Sequence, residues 1–205
     1  MKKYFKVAIM FVIWYLGFLV NFLLIRVSDV FANPALVTLI LGLSIVAVYW
    51  YGEKQQILQP FTLEKITWQD LLWVVAAVII GRIIVYIYVL YFGIPSNDEI
   101  LVLVEEFMGP ISFGILGTIA APIVEELVFR AGIMNCIYGM SQKGLVISSV
   151  IFGLIHVHGG DNFIPTLLVY SALGYAMGYI YKKTGKLECA ILVHILNNFI
   201  GIVFE

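Results

Sequence analysis

Long apolar runs alternate along this chain with short polar segments. A helix needs about 20 apolar residues to cross about 30 Å of hydrocarbon. Val7 to Ile25 meets that length, and Ala35 to Tyr51 approaches it. Leu71 to Phe92 is long enough but contains Arg82, and Ile111 to Val124 runs straight into Glu125, Glu126 and Arg130. Gly144 to His156, Phe163 to Tyr181 and Leu187 to Phe204 bring the count to seven. The pattern predicts an all-α, polytopic membrane helical bundle of about seven transmembrane helices. The N-terminus imitates a signal peptide, with Lys2, Lys3 and Lys6 before an apolar run and small residues at Val30-Phe31-Ala32. Its run is longer than a signal-peptide core, and Arg26 and Asp29 separate it from those small residues, so it is read as an uncleaved first span.

Composition agrees with this pattern. Of 205 residues, 62% are hydrophobic, against about 45–50% in soluble domains even with glycine counted, and the mean hydropathy is +1.01. Lipid must solvate the excess. With the N-terminus inside, the inner segments hold Lys2, Lys3, Lys6, Lys54, Lys65, Arg130, Lys143, Lys182, Lys183 and Lys186, while the outer segments hold Arg26 alone. That asymmetry places the N-terminus in the cytoplasm and the C-terminus outside. The acidic outer segment Ser96 to Glu106 agrees with it. A net charge of −1 without a basic, aromatic-interleaved cluster gives no footprint for nucleic acid. Cys136 and Cys189 have no ligand-like spacing and read as small buried hydrophobes. No linker or repeat divides the chain, which reads as one integral membrane domain over 1–205, with motif-bearing helices in 108–205. Gly174-xxx-Gly178 permits close helix packing within the chain or a homodimer contact.

Ionisable side chains inside a bilayer are expensive and point to function. Three runs carry them: Glu125-Glu126-x-x-x-Arg130, Phe152-x-x-x-His156 and His194-x-x-Asn197-Asn198. Adjacent glutamates point about 100° apart on a helix, so Glu125 and Glu126 are expected not to face one target. Glu126 and Arg130, at i and i+4, can pair, leaving Glu125 the freer carboxylate. A carboxylate in a poorly solvated cavity suits a general base near neutral pH. Phe152 with His156, and His194 with Asn198, share helical faces; Asn197 is a weaker candidate. Counting helical rise from the expected boundaries puts Glu125 about 9 Å, His194 about 10 Å, Asn198 about 16 Å and His156 about 18 Å from the inner surface. All four can line one cavity in the inner half. His158, beside Gly159-Gly160, reads as a loop residue, and Glu105-Glu106 has Pro110 where the motif needs arginine. Arg82 would lie near mid-membrane, paired with a carboxylate or an anionic head group.

These three motifs, in order on successive hydrophobic helices over Glu125 to Asn198, resemble the CAAX protease and bacteriocin-processing family of intramembrane proteases. Its best known members are the type II CAAX prenyl endopeptidases. The resemblance implies that Glu125 activates a water, with His156 beside it, and that His194 and Asn198 polarise the scissile carbonyl and stabilise the oxyanion. Glu126, Arg130 and Phe152 then support the site. The residues suit this chemistry, since no serine or cysteine nucleophile with a paired histidine is evident. Glu125, His156 and His194 are also a zinc ligand set by type, and the family has been described both as metalloproteases and as glutamate proteases. The expected substrate is a membrane-associated peptide or protein, either prenylated with a CAAX-like end or bacteriocin-like. The expected location is a bacterial plasma membrane, with the site open to the cytoplasm. The competing reading is a non-catalytic scaffold or bacteriocin self-immunity protein. A Glu/His proton relay in a small transporter would call for a repeat between halves, and the sequence has no convincing one.

Overall fold

Each apolar run folds as a helix, and the residues at its ends explain where it starts and stops. A computed structural model describes residues 2–27, 33–58, 66–94, 104–106, 108–157 and 162–204. In chain order the long helices are α1 (Lys3–Val27), α2 (Pro34–Lys54), α3 (Trp68–Phe92), α4 (Pro110–Ile137), α5 (Gln142–Ile155), α6 (Phe163–Thr184) and α7 (Leu187–Phe204). No strand occurs among the described residues. Asn33 caps α2 by accepting from the Ala35 N–H, with Pro34 in the first turn, where its missing N–H costs nothing. Thr67 and Asp70 form a reciprocal capping box at the start of α3. Ser141 caps α5, and α6 ends on Gly185 in the left-handed conformation at φ 70°. The expectations placed on Asp29 to Ala32, Lys65, 96–103 and His158 to Gly160 lie outside the described residues.

All seven expected runs are helical, but only α1, α2, α3, α4 and α6 are long and apolar enough to cross a membrane. The 14 residues of α5 reach roughly 21 Å, short of about 30 Å of hydrocarbon. The apolar part of α7, Leu187–Ile202, is also short. α7 lies largely among other helices, while α5 buries one face and leaves Val146, Val150 and Leu154 exposed on the other. Leu145, Ser148, Ser149, Phe152 and Gly153 of α5 are buried, as are Cys189, Ala190, Val193 and His194 of α7. A helix packed on its neighbours is held by those contacts and not by the thickness of the lipid alone.

The central element is α4, whose apolar window is 56% buried, against 22% for α1. On one side α1 packs against α2 and the C-terminal half of α4; on the other, α7 lies between α4 and α3, and α5 packs along α6. The tightest crossings occur at glycines. A Cβ on Gly153 would lie 2.8 Å from the Leu167 carbonyl oxygen and 2.3 Å from Ser171 Oγ across the α5–α6 contact. On α6, Gly174 faces Phe152 and the Ser149 backbone, and Gly178 faces Leu145 and Met134. The small-residue pair Gly174-xxx-Gly178 thus serves packing within the chain. At one end of the bundle Lys6 donates to the Gln55 carbonyl at 3.1 Å, Lys182 donates to Gln142 Oε1 at 3.2 Å, and Lys186 pairs with Asp70 of the α3 cap. Lys183 stands over the Trp73 ring at 4.1 Å. Lys6, Lys182, Lys183 and Lys186, which the charge pattern assigned to one side, lie at that end, whereas Arg130, assigned with them, is buried against Glu126.

Replacing Gly153 by valine should force α5 and α6 apart and cost about 1–3 kcal/mol, read as a lowered unfolding midpoint in detergent. Gly42→Ala is the matched control, because a Cβ there meets nothing within 4 Å; its midpoint should stay unchanged or rise slightly.

Candidate active site

The site starts with a deviation in α4. An α-helical stretch (Pro110–Ile115) is followed by a π-wound turn (Leu116–Ala120), a short α segment (Ala121–Glu126) and a second π-wound stretch (Leu127–Ile137). In the first wide turn the Ala121 N–H reaches back five residues to the Leu116 carbonyl. Pro122 follows inside the helix, where it has no N–H to offer. Wide turns of this kind concentrate at functional sites. The two glutamates come immediately after Pro122-Ile123-Val124.

Glu126 and Arg130 are both fully buried and pair at 2.9 Å between Oε2 and Nε. The other carboxylate oxygen, Oε1, lies 3.1 Å from His194 Nδ1. The Arg130 guanidinium lies over the Phe152 ring at 5.0 Å. Phe152 also meets Phe129 edge-on at 5.4 Å, the His156 ring at 4.4 Å and the His194 ring at 5.6 Å. One phenyl ring therefore touches the arginine and both histidines, which is the physical content of the support expected from it.

Glu125 lies on the more open side. Its side chain is 19% exposed, against 15% for His156, 5% for His194 and 0% for Glu126. Its Oε2 is 3.9 Å from His156 Nε2 and 3.9 Å from His194 Nε2. The expectation that the two glutamates cannot face one target is corrected here. His194 meets both, because its two ring nitrogens point in different directions, Nδ1 to Glu126 and Nε2 to Glu125. His156 is held differently. Its Nδ1 lies 2.7 Å from the Phe152 carbonyl, and its ring is stacked on Tyr170 at 4.8 Å and 20°. A carbonyl oxygen only accepts, so Nδ1 carries the hydrogen and Nε2 of the neutral ring is the acceptor facing Glu125.

Asn198, one turn beyond His194, donates from Nδ2 to the Gly117 carbonyl at 3.0 Å. On its other side the α7 backbone is held by Arg82, whose Nη1 lies 3.4 Å from the Asn197 carbonyl. Sequence reasoning missed Tyr170, the wide turns of α4 and the Gly117 contact. Only Pro122, a proline inside an apolar run, gave a sign of the wide turn.

The donor types suit zinc, and both histidines engage Nδ1 with an oxygen, as metal-bound imidazoles commonly do. The spacing does not fit. Ligands sharing a tetrahedral zinc at about 2.0–2.1 Å sit roughly 3.3 Å apart, whereas both N···O separations here are 3.9 Å. Among the described residues no three His, Cys, Asp or Glu side chains form a group that could hold a metal ion.

Residues 107–200, which contain every residue of this cluster except Arg82, match the family described as type II CAAX prenyl endopeptidase Rce1-like. Through this segment the chain is similar to the Rce1-like family. Among its relatives, YdiL of Bacillus subtilis (strain 168), named as a membrane peptidase, is 31% identical over 94 residues, which are 44% of this chain and 36% of YdiL. The membrane-embedded CAAX protease MroQ of Staphylococcus aureus (strain USA300) is 28% identical over 117 residues, 54% of this chain and 45% of MroQ. The UPF0177 protein YvdC of Lactococcus lactis subsp. lactis (strain IL1403) is 23% identical over 209 residues, 93% of this chain and 76% of YvdC. The chain thus spans less than half the length of the first two. No solved structure matches. The similarity is to membrane proteases, and the five long apolar helices make the chain an integral, multi-pass membrane protein.

Removing one partner of the buried Glu126–Arg130 pair should cost about 3–5 kcal/mol by leaving the other charge buried alone. Glu126→Leu combined with Arg130→Met should cost less than the two single changes added together. Unfolding midpoints of the three variants in detergent measure the difference.

Proposed function

We propose that the protein is an intramembrane endopeptidase that hydrolyses a peptide bond in a membrane-associated substrate with a water activated by Glu125. The observation that carries this reading is the convergence of Glu125 Oε2 with Nε2 of both His156 and His194, each at 3.9 Å. That distance is too long for a direct hydrogen bond and is spanned by one bridging water. With Nδ1 of His156 donating to the Phe152 carbonyl, a water between Glu125 and His156 gives one hydrogen to each and keeps a lone pair for the scissile carbon. Glu125 takes a proton as the new C–O bond forms, and the carbonyl π pair moves onto oxygen. Collapse of that intermediate re-forms the C=O bond, breaks the C–N bond and returns the proton from Glu125 to the departing amine.

The oxyanion needs donors. His194 Nδ1 donates to Glu126, so donation from its Nε2 requires the doubly protonated ring. Asn198 has a second Nδ2 hydrogen beyond the one given to Gly117. Glu126, Arg130 and Phe152 hold these groups and take no part in the bond changes. No step runs through zinc.

The substrate is a peptide or protein with a hydrophobic or lipidated segment beside the cleaved bond. The gathered lysines favour a cytoplasmic placement of the basic end of the bundle, and with it cleavage in the inner half of a bacterial plasma membrane. The name of MroQ makes CAAX-type peptides the first substrates to try.

In liposomes, wild-type protein should cut one or more CAAX-type peptides or native membrane proteins. Glu125→Gln should lower kcat by about 10²–10⁴-fold, and His194→Ala by about 10²–10³-fold. A chelator should leave the rate unchanged; loss restored by added zinc would assign Glu125, His156 and His194 to a metal instead. If wild type cuts neither substrate set while Glu125→Gln keeps the cellular phenotype, the peptidase reading fails and the scaffold or immunity reading replaces it.

A further inference from the structure

The backbone hydrogen bonds of α4 can be accounted for residue by residue around the wide turn. In an α-helix the Gly117 carbonyl would accept from Ala121, but the Ala121 N–H is given to the Leu116 carbonyl. In the π register the donor for Gly117 would be residue 122, which is proline and has no N–H. Neither register supplies the Gly117 carbonyl with a main-chain donor. A carbonyl left without one inside a membrane bundle must find a partner or cost several kcal/mol. Its partner is Asn198 Nδ2 at 3.0 Å. The helices are close enough for this because residue 117 has no side chain. A Cβ there would lie 2.9 Å from Ile202 Cδ1 of α7.

We infer that Pro122 is a positioning residue, which, by leaving the Gly117 carbonyl without a main-chain donor, orients the Asn198 amide across the α4–α7 contact. An amide can present either its oxygen or its nitrogen to a neighbour, and an acceptor carbonyl selects the nitrogen. Pro122 lies three residues before Glu125 on the same short segment, Ala121–Glu126. One local sequence therefore carries the carboxylate and orients the Asn198 amide of α7. The kinetic arm of the test rests on the peptidase reading above; the spectroscopic arm does not.

Pro122→Ala returns an N–H to position 122 and removes a proline from a helix interior, so the fold should be at least as stable. In ¹⁵N-asparagine-labelled wild type in detergent, one Asn198 side-chain hydrogen should exchange slowly, and in Pro122→Ala that protection should disappear. On the peptide cut in the liposome assay, Pro122→Ala should lower kcat about tenfold, the scale of one neutral hydrogen bond, with KM unchanged. Adding Pro122→Ala to Asn198→Ala should lower kcat no further than Asn198→Ala alone. An Asn198 signal unchanged by Pro122→Ala, or losses that multiply in the double variant, would overturn the inference. Should Pro122→Ala fail to fold, the wild-type spectrum decides: an Asn198 amide with two fast-exchanging hydrogens would overturn it as well. If wild type cleaves nothing, the peptidase reading fails, while the Asn198 signals still decide the role of Pro122.

Discussion

The organisation of the C-terminal helices depends on one buried carboxylate. Glu126 is fully enclosed, and a lone ionised carboxylate in such a place would cost several kcal/mol. It is sustained by Arg130 from its own helix and by His194 from α7. Arg130 is enclosed in turn, and its guanidinium is covered by the Phe152 ring of α5. On α6, Gly178 leaves room beside it, with Arg130 Cδ 3.7 Å from where a Cβ would be. Four helices are thereby brought to one point by the requirement to satisfy a single charge.

That arrangement separates two chemically identical neighbours. Glu126 uses its oxygens on Arg130 and His194, whereas Glu125 keeps an oxygen directed at two imidazole nitrogens 3.9 Å away. Their positions differ by one residue, about 100° around the helix. The consequence is one carboxylate that holds the structure together and one that is left to react. His194 links them, because an imidazole presents a nitrogen on each side of its ring and each nitrogen fixes what the other can do.

Much of the site was legible because α-helical spacing is rigid. Glu126 with Arg130, Phe152 with His156 and His194 with Asn198 are all separated by four residues, and each pair shares a face as that spacing requires. Contacts that depend on departures from the spacing were not legible. The wide turn at Leu116–Ala120 shifts the backbone pairing by one residue, and no periodicity argument predicts which carbonyl it releases. The Tyr170–His156 stack joins residues from separate elements, and Tyr170 sits in an apolar helix among other aromatic residues. The helices α5 and α7 were read close to their observed bounds, and only their counting as spans differs, for a related reason. Hydropathy measures whether a run tolerates an apolar environment, and it does not distinguish lipid from the interior of a bundle.

The same distinction accounts for where family likeness is found. The matching segment begins at residue 107, close to the start of α4, the most enclosed long helix. Ahead of it, α1 and α2 expose large apolar side chains such as Phe5, Leu16, Leu43 and Val46. Lipid imposes little on such positions beyond being apolar, and only a few contacts, Gly17 against Ser44 and Val7 against Gly132 among them, are tight. Identity is constrained where a charge must be met, a carbonyl supplied or a crossing kept close, and those demands fall from α4 onward. Arg82 is one exception that follows the same rule. An arginine within a span costs about 2.5–3.5 kcal/mol on insertion scales, and this one reaches the Asn197 carbonyl, on the turn of α7 that also carries Asn198. A polar residue in the N-terminal helices therefore occurs where α3 meets the site, and its demand is set by the same α7 backbone.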